Sequence, residues 1–343
     1  MTRTGAEDAC PGALRMHQAA DGALARVRLP GGQLTAGQLA TLAAASVSFG
    51  SGTLELTARG NLQIRGITDR AALADTVAQA GLLPSATHER VRNIAASPLS
   101  GRFGGRADVR RWVTDLDAAI RAEPLLADLP GRFWFSIDDG RADVSGLGAD
   151  LGVHLLDTGV ALLLARRDTG VRLQPGDVVE TLIALAARFL HVRGKAWRVA
   201  ELADPNALLP GVELGVPFAQ ITRPPVGWIE QHDGRVALGA AVPLGVLPAD
   251  VAESLAAIGA PLVITPWRSV LVCDLDDAVA DAALRVLAPM GLVFDEDSPW
   301  LAISACVGSP GCAHSAADVR AAAAAAAQAA QRGGMGAPYQ RTH

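Results

Sequence analysis

One block of the sequence occurs twice, and this repeat constrains the fold more than any other feature. The first copy covers residues 21–82 and the second covers 233–292. Each copy opens with Asp-Gly and an alternating strand, followed by an amphipathic Leu-rich helix. Two strands separated by an arginine-containing turn come next, and an Ala/Leu-rich helix ends the copy. The order β-α-β-β-α is that of a ferredoxin-like split βαβ module, used here twice.

The polar turn lies at the same place in both copies. In the first copy Arg59 is followed by Gly60 and Asn61, and in the second Arg268 is interpreted as the counterpart of Arg59 with one residue inserted. Glycine and asparagine accept a positive φ, which lets a backbone approach a ligand. Duplication of a stable module explains the helices and strands without a ligand, whereas the paired turns predict one shared cleft. Arg65, in the strand after the first turn, faces either this cleft or solvent.

The segment between the copies has a different pattern. Short alternating strands with Asp-Gly and Thr-Gly turns predict a β-meander. A helix is predicted after it, with Pro175 and Asp177 near its start and Gly194 after its end. We therefore predict an α+β protein with domain boundaries at 10–90, 91–220, 221–297 and 298–343.

Composition and charge exclude several classes of function. The formal net charge is −5, and no basic run or helix indicates a nucleic-acid partner. The N-terminus lacks the apolar region of a secretory signal, and no uncharged apolar run reaches transmembrane length. We expect a cytoplasmic protein with no membrane partner. Lys195 is the single lysine, so nearly all positive charge is arginine, which fits either a GC-rich genome or carboxylate binding.

Cys306 and Cys312 form a C-x5-C pair in a Gly/Pro-containing loop before an Ala-rich helix. Thiolates are soft ligands that suit iron–sulfur clusters or zinc, and zinc ribbons use shorter spacings. The pair therefore predicts half of an iron–sulfur site, with two structural thiols as the alternative. Ser315 or Asp318 is expected to cap the helix.

The rest of such a site is not evident from the sequence. Cys273 lies in an apolar strand and is predicted to be buried, and Cys10 is remote along the chain. The histidines form no i,i+4 pair, so no two-histidine, one-carboxylate iron triad can be selected from their spacing.

Five stretches of the sequence carry a resemblance to a known family. LTARGNLQIRG, VRNIAASPLSG, LPGRFWFSIDDG, TPWRSVLV and SACVGSPGC occur in the order found in the sulfite/nitrite reductase superfamily. The opening ACPGALRMHQ is most similar to the precorrin-3B synthase branch of that superfamily. The resemblance implies two pseudo-symmetric half-domains, a sulfite-reductase-like α/β domain and a partial iron–sulfur segment. It also implies a tetrapyrrole in the cleft, bound either as sirohaem cofactor or as substrate.

The resemblance also implies roles for individual residues. The expected catalytic residues are Arg59, Arg92 and Arg132, and those expected to bind the tetrapyrrole are Asn61, Arg65, Asn93, Trp134 and Arg268. Cys306 and Cys312 are expected to supply half of the ligands of a [4Fe–4S] cluster. The second cysteine pair of the superfamily would come after the Ala-rich helix, where this sequence stops, so we expect a C-terminal truncation.

One departure from sulfite reductases helps to predict the substrate. They carry a lysine pair where this chain has Arg132 and Trp134. Loss of one cation disfavours a small dianion by about 1.5–3 kcal/mol, whereas an indole offers a stacking surface to a macrocycle. Because Trp134 alternates with Phe133 and Phe135, a core position is the alternative for it.

The reaction implied by the resemblance is O2- and NADH-dependent hydroxylation and lactone formation on precorrin-3A in aerobic cobalamin biosynthesis. A further non-haem iron centre is implied, and the direct electron donor is not identified. A sirohaem-dependent nitrite or sulfite reductase and an inactive tetrapyrrole-binding protein are the alternatives.

Overall fold

A computed structural model describes residues 8–312, 315–333 and 340–342 of the chain. The chain forms two compact units, each built from several segments. The central unit contains Met1–Pro11, Arg28–Gly32 and Pro84–Thr222. The repeat unit contains Gly12–Val27, Gln33–Leu83 and Arg223–His343.

The repeat unit contains two five-stranded antiparallel sheets with the same topology. The first sheet has the strand order β1 (His17–Ala19), β2 (Gly22–Val27), β5 (Leu62–Ile67), β4 (Thr53–Leu56) and β13 (Val246–Pro248). The second has the order β11 (Gly227–Glu230), β12 (Val236–Ala241), β15 (Ser269–Leu275), β14 (Leu262–Ile264) and β3 (Gln33–Leu34). The predicted pair of pseudo-symmetric half-domains is confirmed.

The two half-domains exchange their edge strands. Strand β3 belongs to the first copy but pairs with β14 of the second, so that Leu34 lies opposite Leu262. Strand β13 belongs to the second copy but pairs with β4 of the first, so that Leu247 lies opposite Leu54. All four leucines are buried. Each sheet therefore depends on the other copy for its last strand.

Two helices per copy cover the sheets. Helices α1 (Ala36–Phe49) and α5 (Ala249–Ala257) follow the exchanged strands and pack against each other. Helices α2 (Arg70–Gln79) and α6 (Asp277–Leu287) end the copies. The first helix begins at a capping box in which Thr35 accepts from the backbone N–H of Gln38.

The C-terminal part of the repeat unit holds the cysteine pair. It contains β16 (Ile303–Ala305), α7 (Val319–Gly333) and β17 (Gln340–Thr342), and β16 and β17 pair in parallel. The Asp318 carboxylate accepts a hydrogen bond from the Ala321 N–H at 3.0 Å, so the predicted cap of the Ala-rich helix is Asp318.

The central unit is built on one mixed sheet. Its order is β10 (Arg167–Leu173), β9 (Gly159–Leu164), β8 (Leu151–Leu156), β7 (Phe135–Asp138) and β6 (Ile94–Ala96). Helices α3 (Arg110–Ala122) and α4 (Val178–Val192) pack against each other, and α3 connects β6 to β7. Phe133, Phe135 and Phe189 lie at the centre of its core.

The predicted β-meander is only partly correct. Strands β8, β9 and β10 are antiparallel neighbours, as a meander requires. Strands β6, β7 and β8 are instead parallel, because β7 and β8 are joined by a loop over residues 139–150 rather than by a hairpin. Within the described residues, no helix has both the length and the apolar character needed to span a bilayer.

The strand exchange predicts a strong effect of Leu247→Ala. This side chain is fully buried and pairs across the exchange with Leu54, so we expect a loss of about 2–5 kcal/mol in unfolding free energy. Urea unfolding followed by circular dichroism measures it. Val246→Ala, at a half-buried neighbour, should cost less. A separate early transition of one half-domain in Leu247→Ala would contradict a shared fold of the two copies.

Candidate functional site

The first arginine turn is a tight connection between β4 and β5. The N–H of Thr57 donates to the O of Asn61 at 2.9 Å, and the N–H of Gly60 donates to the O of Thr57 at 3.1 Å. The Thr57 hydroxyl accepts from the N–H of Asn61 at 3.1 Å. Gly60 adopts a φ of 66°. Arg59 is half-buried at the tip of the turn, and Asn61 is buried at its base.

The second turn has the same hydrogen bonds over the same number of residues. The N–H of Thr265 donates to the O of Ser269 at 2.9 Å, and the N–H of Arg268 donates to the O of Thr265 at 3.1 Å. The Thr265 hydroxyl accepts from the N–H of Ser269 at 3.3 Å.

The match between the turns corrects the predicted counterpart of Arg59. No residue is inserted in the second turn, so Arg268 occupies the position of Gly60, and Trp267 occupies the position of Arg59. The interpretation of Arg268 as the counterpart of Arg59 was wrong because it matched residue types rather than hydrogen-bond positions. The two turns therefore present an arginine in one copy and a tryptophan followed by an arginine in the other.

Arg268 holds an unusual backbone conformation. Its φ is 59°, in the left-handed region that glycine adopts freely and that other residues, apart from Asn and Asp, rarely adopt. Its side-chain stem packs on Gly245, where an added Cβ would lie 2.7 Å from Cδ of Arg268. Backbone strain of this kind is kept mainly where the side chain has a role, which motivates a functional role for Arg268.

Arg65 is tied to the loop that carries the cysteines. Its Nε lies 2.7 Å from Oδ2 of Asp21, and its Nη2 lies 2.8 Å from Oδ1 of the same carboxylate. Nη2 also donates to the backbone O of Gly311 at 2.8 Å. Burial acts to lower the pKa of Arg65, but the Asp21 hydrogen bonds, together with the carboxylate charges of Glu55 and Asp21, raise that pKa above its ordinary value. Arg65 is therefore a buried, charged side chain rather than a solvent-facing one.

The cysteine pair lies in the loop that precedes α7. Cys306 is exposed and Cys312 is half-buried, and the Cys312 N–H donates to the O of Gly308 at 2.7 Å. Among the described residues, no group of three or more His, Cys, Asp or Glu side chains is placed to hold a metal ion. A [4Fe–4S] cluster usually takes four cysteine thiolates, and these residues offer two. The donor set therefore does not fit a complete cluster.

The other two cysteines belong to different elements of the fold. Cys273 is fully buried in β15, as predicted, and Cys10 belongs to the central unit. His314 and His343 lie outside the described residues.

Arg92 and Asn93 are engaged inside the central unit. The guanidinium of Arg92 makes a two-point ion pair with Asp117 of α3, with an Nε–Oδ1 distance of 2.6 Å. The amide of Asn93 donates to the backbone oxygens of Arg90, Gly131 and Phe133 at 3.0–3.2 Å. These contacts hold the β6 entry loop to the loop before β7.

Arg132 and Trp134 have different environments in the same stretch. Arg132 is exposed, and its guanidinium carbon lies 5.4 Å from the ring centre of Trp197. Trp134 is 4% exposed and packs with Ala95 and Ala149, apart from the main core. Its side chain is covered by protein, which agrees with the core alternative and leaves little indole surface for a macrocycle.

Sequence reasoning missed a buried polar cluster in the loop after β7. Asp138 accepts from the N–H groups of Val144 and Ser145 at 3.0 and 2.9 Å, and its Oδ1 lies 3.3 Å from Nδ1 of His154. Burial opposes its ionisation, but the His154 and Ser145 hydrogen bonds lower the pKa of Asp138 below its ordinary value. The signal in the sequence is the run of aspartates at 138, 139 and 143 beside the glycine turn.

The pKa of Asp143 is shifted in the opposite direction from that of Asp138. Burial and the nearby Asp138 charge raise the pKa of Asp143 to about 7. The Ser97 hydroxyl donates to its Oδ1 at 2.6 Å, and Nε of Arg141 lies 3.7 Å from Oδ2. Ser97 belongs to the Pro/Ser/Gly loop after Arg92 and Asn93, so the cluster supports that loop.

The structure assigns the predicted site residues to two groups. Six of them belong to the repeat unit, namely Arg59, Asn61, Arg65, Arg268, Cys306 and Cys312. Four belong to the central unit, namely Arg92, Asn93, Arg132 and Trp134. Their ligand-binding and catalytic roles stay predictions.

Several known proteins resemble this chain. The nitrite/sulfite reductase ferredoxin-like half-domain family matches residues 17–76, within the first copy of the repeat. A precorrin-3B synthase from Sinorhizobium sp. is 29% identical over 345 residues, which covers 89% of this chain and 70% of that protein. Ferredoxin–nitrite reductases from Synechococcus elongatus and Leptolyngbya laminosa are 32% identical over 127 and 152 residues. These two matches cover 34% and 42% of this chain, and 25% and 28% of those proteins.

A solved structure shares the fold. The NirA protein of Mycobacterium tuberculosis matches with a TM-score of 0.75 and 22% identity, covering 90% of this chain. The chain spans 64% of the NirA chain, less than two thirds of its length. The family match covers part of the first half-domain, and the structural match shows that the chain shares the fold of NirA. The chain is thus similar in sequence to a precorrin-3B synthase and, over shorter stretches, to ferredoxin–nitrite reductases.

The left-handed backbone conformation of Arg268 predicts that a glycine variant is more stable than an alanine variant at this position. Inside a helix the order is the reverse. Because only glycine accepts this φ without strain, we expect Arg268→Gly to be more stable than Arg268→Ala by about 1 kcal/mol. At Arg285, inside helix α6, the order should reverse, with alanine favoured by about 1 kcal/mol. Thermal and urea unfolding of the four variants measure both differences. An Ala-favoured order at position 268 would contradict the strained conformation.

The raised pKa of Asp143 predicts a stability that depends on pH. Between the ordinary carboxyl pKa of 3.8 and about 7, the folded protein holds a proton that the unfolded chain has lost. Stability from this group is therefore lost as pH rises through that window, by up to about 1.4 kcal/mol per pH unit. Asp143→Asn should remove this slope, measured by urea unfolding from about pH 5 to about pH 8. Asp157→Asn, at an exposed carboxylate, is the control, and an unchanged slope in Asp143→Asn would refute the assignment.

Proposed function

We propose that this protein is a precorrin-3B synthase-like oxidoreductase that binds a tetrapyrrole as its substrate. The observation that carries the proposal is the second turn, where a strained arginine stands in place of the glycine of the first turn. Strain retained at an arginine favours a role in gripping an anionic group. The extent of the similarity to the Sinorhizobium precorrin-3B synthase supports the same choice, since the nitrite reductase matches cover a smaller part of the chain.

In this proposal the turns bind the acidic side chains of the macrocycle. Arg59 and Arg268 each present a planar guanidinium that can donate two parallel hydrogen bonds to one carboxylate. Trp267, at the Arg59 position of the second turn, supplies an apolar ring to the macrocycle. Asn61 shapes the first turn from its buried position.

The predicted site residues of the central unit keep their roles as proposals. Arg132 is exposed and carries a charge that a substrate carboxylate can meet. Arg92 keeps its predicted catalytic role as a proposal, and its ion pair with Asp117 favours positioning of the following loop. Asn93 acts on the same loop through three backbone carbonyls.

The proposed reaction is O2- and NADH-dependent hydroxylation of precorrin-3A with formation of a lactone. Because the described residues do not complete a ligand set for a cluster or for a non-haem iron, no step of the reaction is assigned to iron. The electron donor that contacts the protein is not part of the proposal.

A second candidate function is a sirohaem-dependent nitrite or sulfite reductase. The matches to ferredoxin–nitrite reductases favour it. The absence of the sulfite reductase lysine pair at Arg132 and Trp134 argues against it, since a small anion loses a charged contact there.

Turnover of precorrin-3A by the purified chain tests the proposal. With O2 and NADH we expect a product heavier by one oxygen atom, detected by mass spectrometry, and no nitrite consumption with a reduced donor. Arg59→Gln should lower kcat/KM roughly tenfold to hundredfold, because one charge-assisted contact is lost. Arg285→Gln, at an exposed ion pair of α6, is the matched control. Sirohaem absorbance with nitrite or sulfite reduction would select the second function instead, and tetrapyrrole binding without turnover would indicate an inactive binding protein.

A further inference from the structure

We propose that Arg65 and Asp21 form a clamp that positions the cysteine loop, residues 306–312, and that Arg65 is a positioning residue for Cys312 rather than a ligand of the tetrapyrrole. The carbonyl that accepts from Arg65 belongs to Gly311, the residue directly before Cys312. The other contacts of the same guanidinium are both with Asp21, in the turn between β1 and β2. The buried guanidinium of Arg65 thus joins strand β5 and the β1–β2 turn to the cysteine loop.

The loop backbone closely approaches this pair. A Cβ added at Gly311 would lie 3.1 Å from Oδ2 of Asp21 and 3.4 Å from Nη2 of Arg65, and 2.6 Å from Cγ2 of Val307. Only a residue without a side chain lets the carbonyl reach the guanidinium while Val307 stays in place. The loop and the clamp therefore fit each other closely.

The second copy of the repeat shows that the fold itself does not need this arginine. Arg65 directly precedes Gly66, which has a φ of 64°, and the matching residue of β15 is Asp274, also with a φ of 64°. The residue before Asp274 is Cys273, which is fully buried. A ferredoxin-like half-domain thus folds with an apolar side chain at the Arg65 position, so the buried charge in the first copy serves the loop that it contacts.

A second ion pair fixes the segment that follows the loop. Nη2 of Arg320, in the first turn of α7, lies 2.5 Å from Oε1 of Glu55 in β4. The other carboxylate oxygen of Glu55 accepts from Nε2 of Gln63 in β5. The cysteine loop and the helix after it are therefore both anchored on β4 and β5, the two strands that flank the Arg59 turn.

The consequence is a direct structural link between the proposed tetrapyrrole turn and Cys312. Strand β5 starts immediately after Asn61 and carries Arg65 within it. We therefore expect a movement of the turn to reach the carbonyl next to Cys312 along this strand. The tetrapyrrole part of this inference rests on the proposed function, whereas the clamp does not.

Hydrogen–deuterium exchange of the full chain, read by mass spectrometry, tests the clamp. In Arg65→Gln we expect exchange in peptides covering 303–312 to accelerate roughly tenfold to hundredfold, because a charge-assisted contact to the loop is lost. Asp21→Asn should produce a similar change, and the double variant should add little to either. Arg65→Lys should restore part of the protection, because an ammonium cannot hold carboxylate and carbonyl with the same fork.

Arg198→Gln is the matched control in the central unit. Arg198 also donates to one aspartate, Asp150, and to one backbone carbonyl, that of Gly148. Its loss should lower stability without changing exchange in 303–312. If Arg65→Gln and Asp21→Asn leave that exchange at the wild-type rate, the clamp is refuted.

Titration with uroporphyrin, followed by fluorescence, separates positioning from ligand binding. Arg65→Gln should keep the wild-type affinity, while Arg59→Gln should weaken binding roughly tenfold or more. Weakened binding in Arg65→Gln with unchanged loop exchange would make Arg65 a ligand and overturn the inference. If the wild-type protein does not bind uroporphyrin, the proposed function fails, and the exchange data still decide the clamp.

Discussion

The exchange of edge strands between the two half-domains is the constraint on which the rest of the repeat unit depends. Strand β3 completes the second sheet, and β13 completes the first. The leucines on these short strands are buried in the sheet of the other copy, so neither sheet is finished by its own sequence alone. Because unpaired sheet edges are costly and prone to wrong pairing, the two copies form one folding unit. The two arginine turns are consequently held on one scaffold.

The two copies of the repeat differ at the positions for which we propose functional roles. The two turns have the same hydrogen bonds, yet glycine in one is replaced by a strained arginine in the other. At a second position, Arg65 of β5 is buried, and the equivalent residue of β15 is the buried Cys273. At this second position, the arginine of the first copy contacts the Gly311 carbonyl of the cysteine loop.

The sequence predicted the secondary structure of the repeat because its helices and strands are long enough to show a period. It did not predict the exchanged strands, since Gln33–Leu34 and Val246–Pro248 are too short to carry a pattern. The parallel pairing of β7 with β8 was also missed, because turn residues signalled a hairpin where the chain instead makes a long loop.

The candidate site was predictable in its residue types and less so in its geometry. The arginine turns and the cysteine pair were found from spacing, but Arg268 was placed one position out of register. The ion pair of Arg65 with Asp21 joins residues far apart in the chain, and no local pattern reports such a contact. The alternation of Trp134 with Phe133 and Phe135 left a core position as the alternative to tetrapyrrole binding, and the structure shows Trp134 buried.

In the proposed function, Arg59 and Arg268 bind a tetrapyrrole through its carboxylates. The most direct measurement compares binding of uroporphyrin with binding of its methyl ester to the wild-type chain at increasing salt. We expect the acid to bind, the ester to lose most of this affinity, and added salt to weaken binding of the acid. Equal binding of acid and ester, or no binding of either, would contradict it.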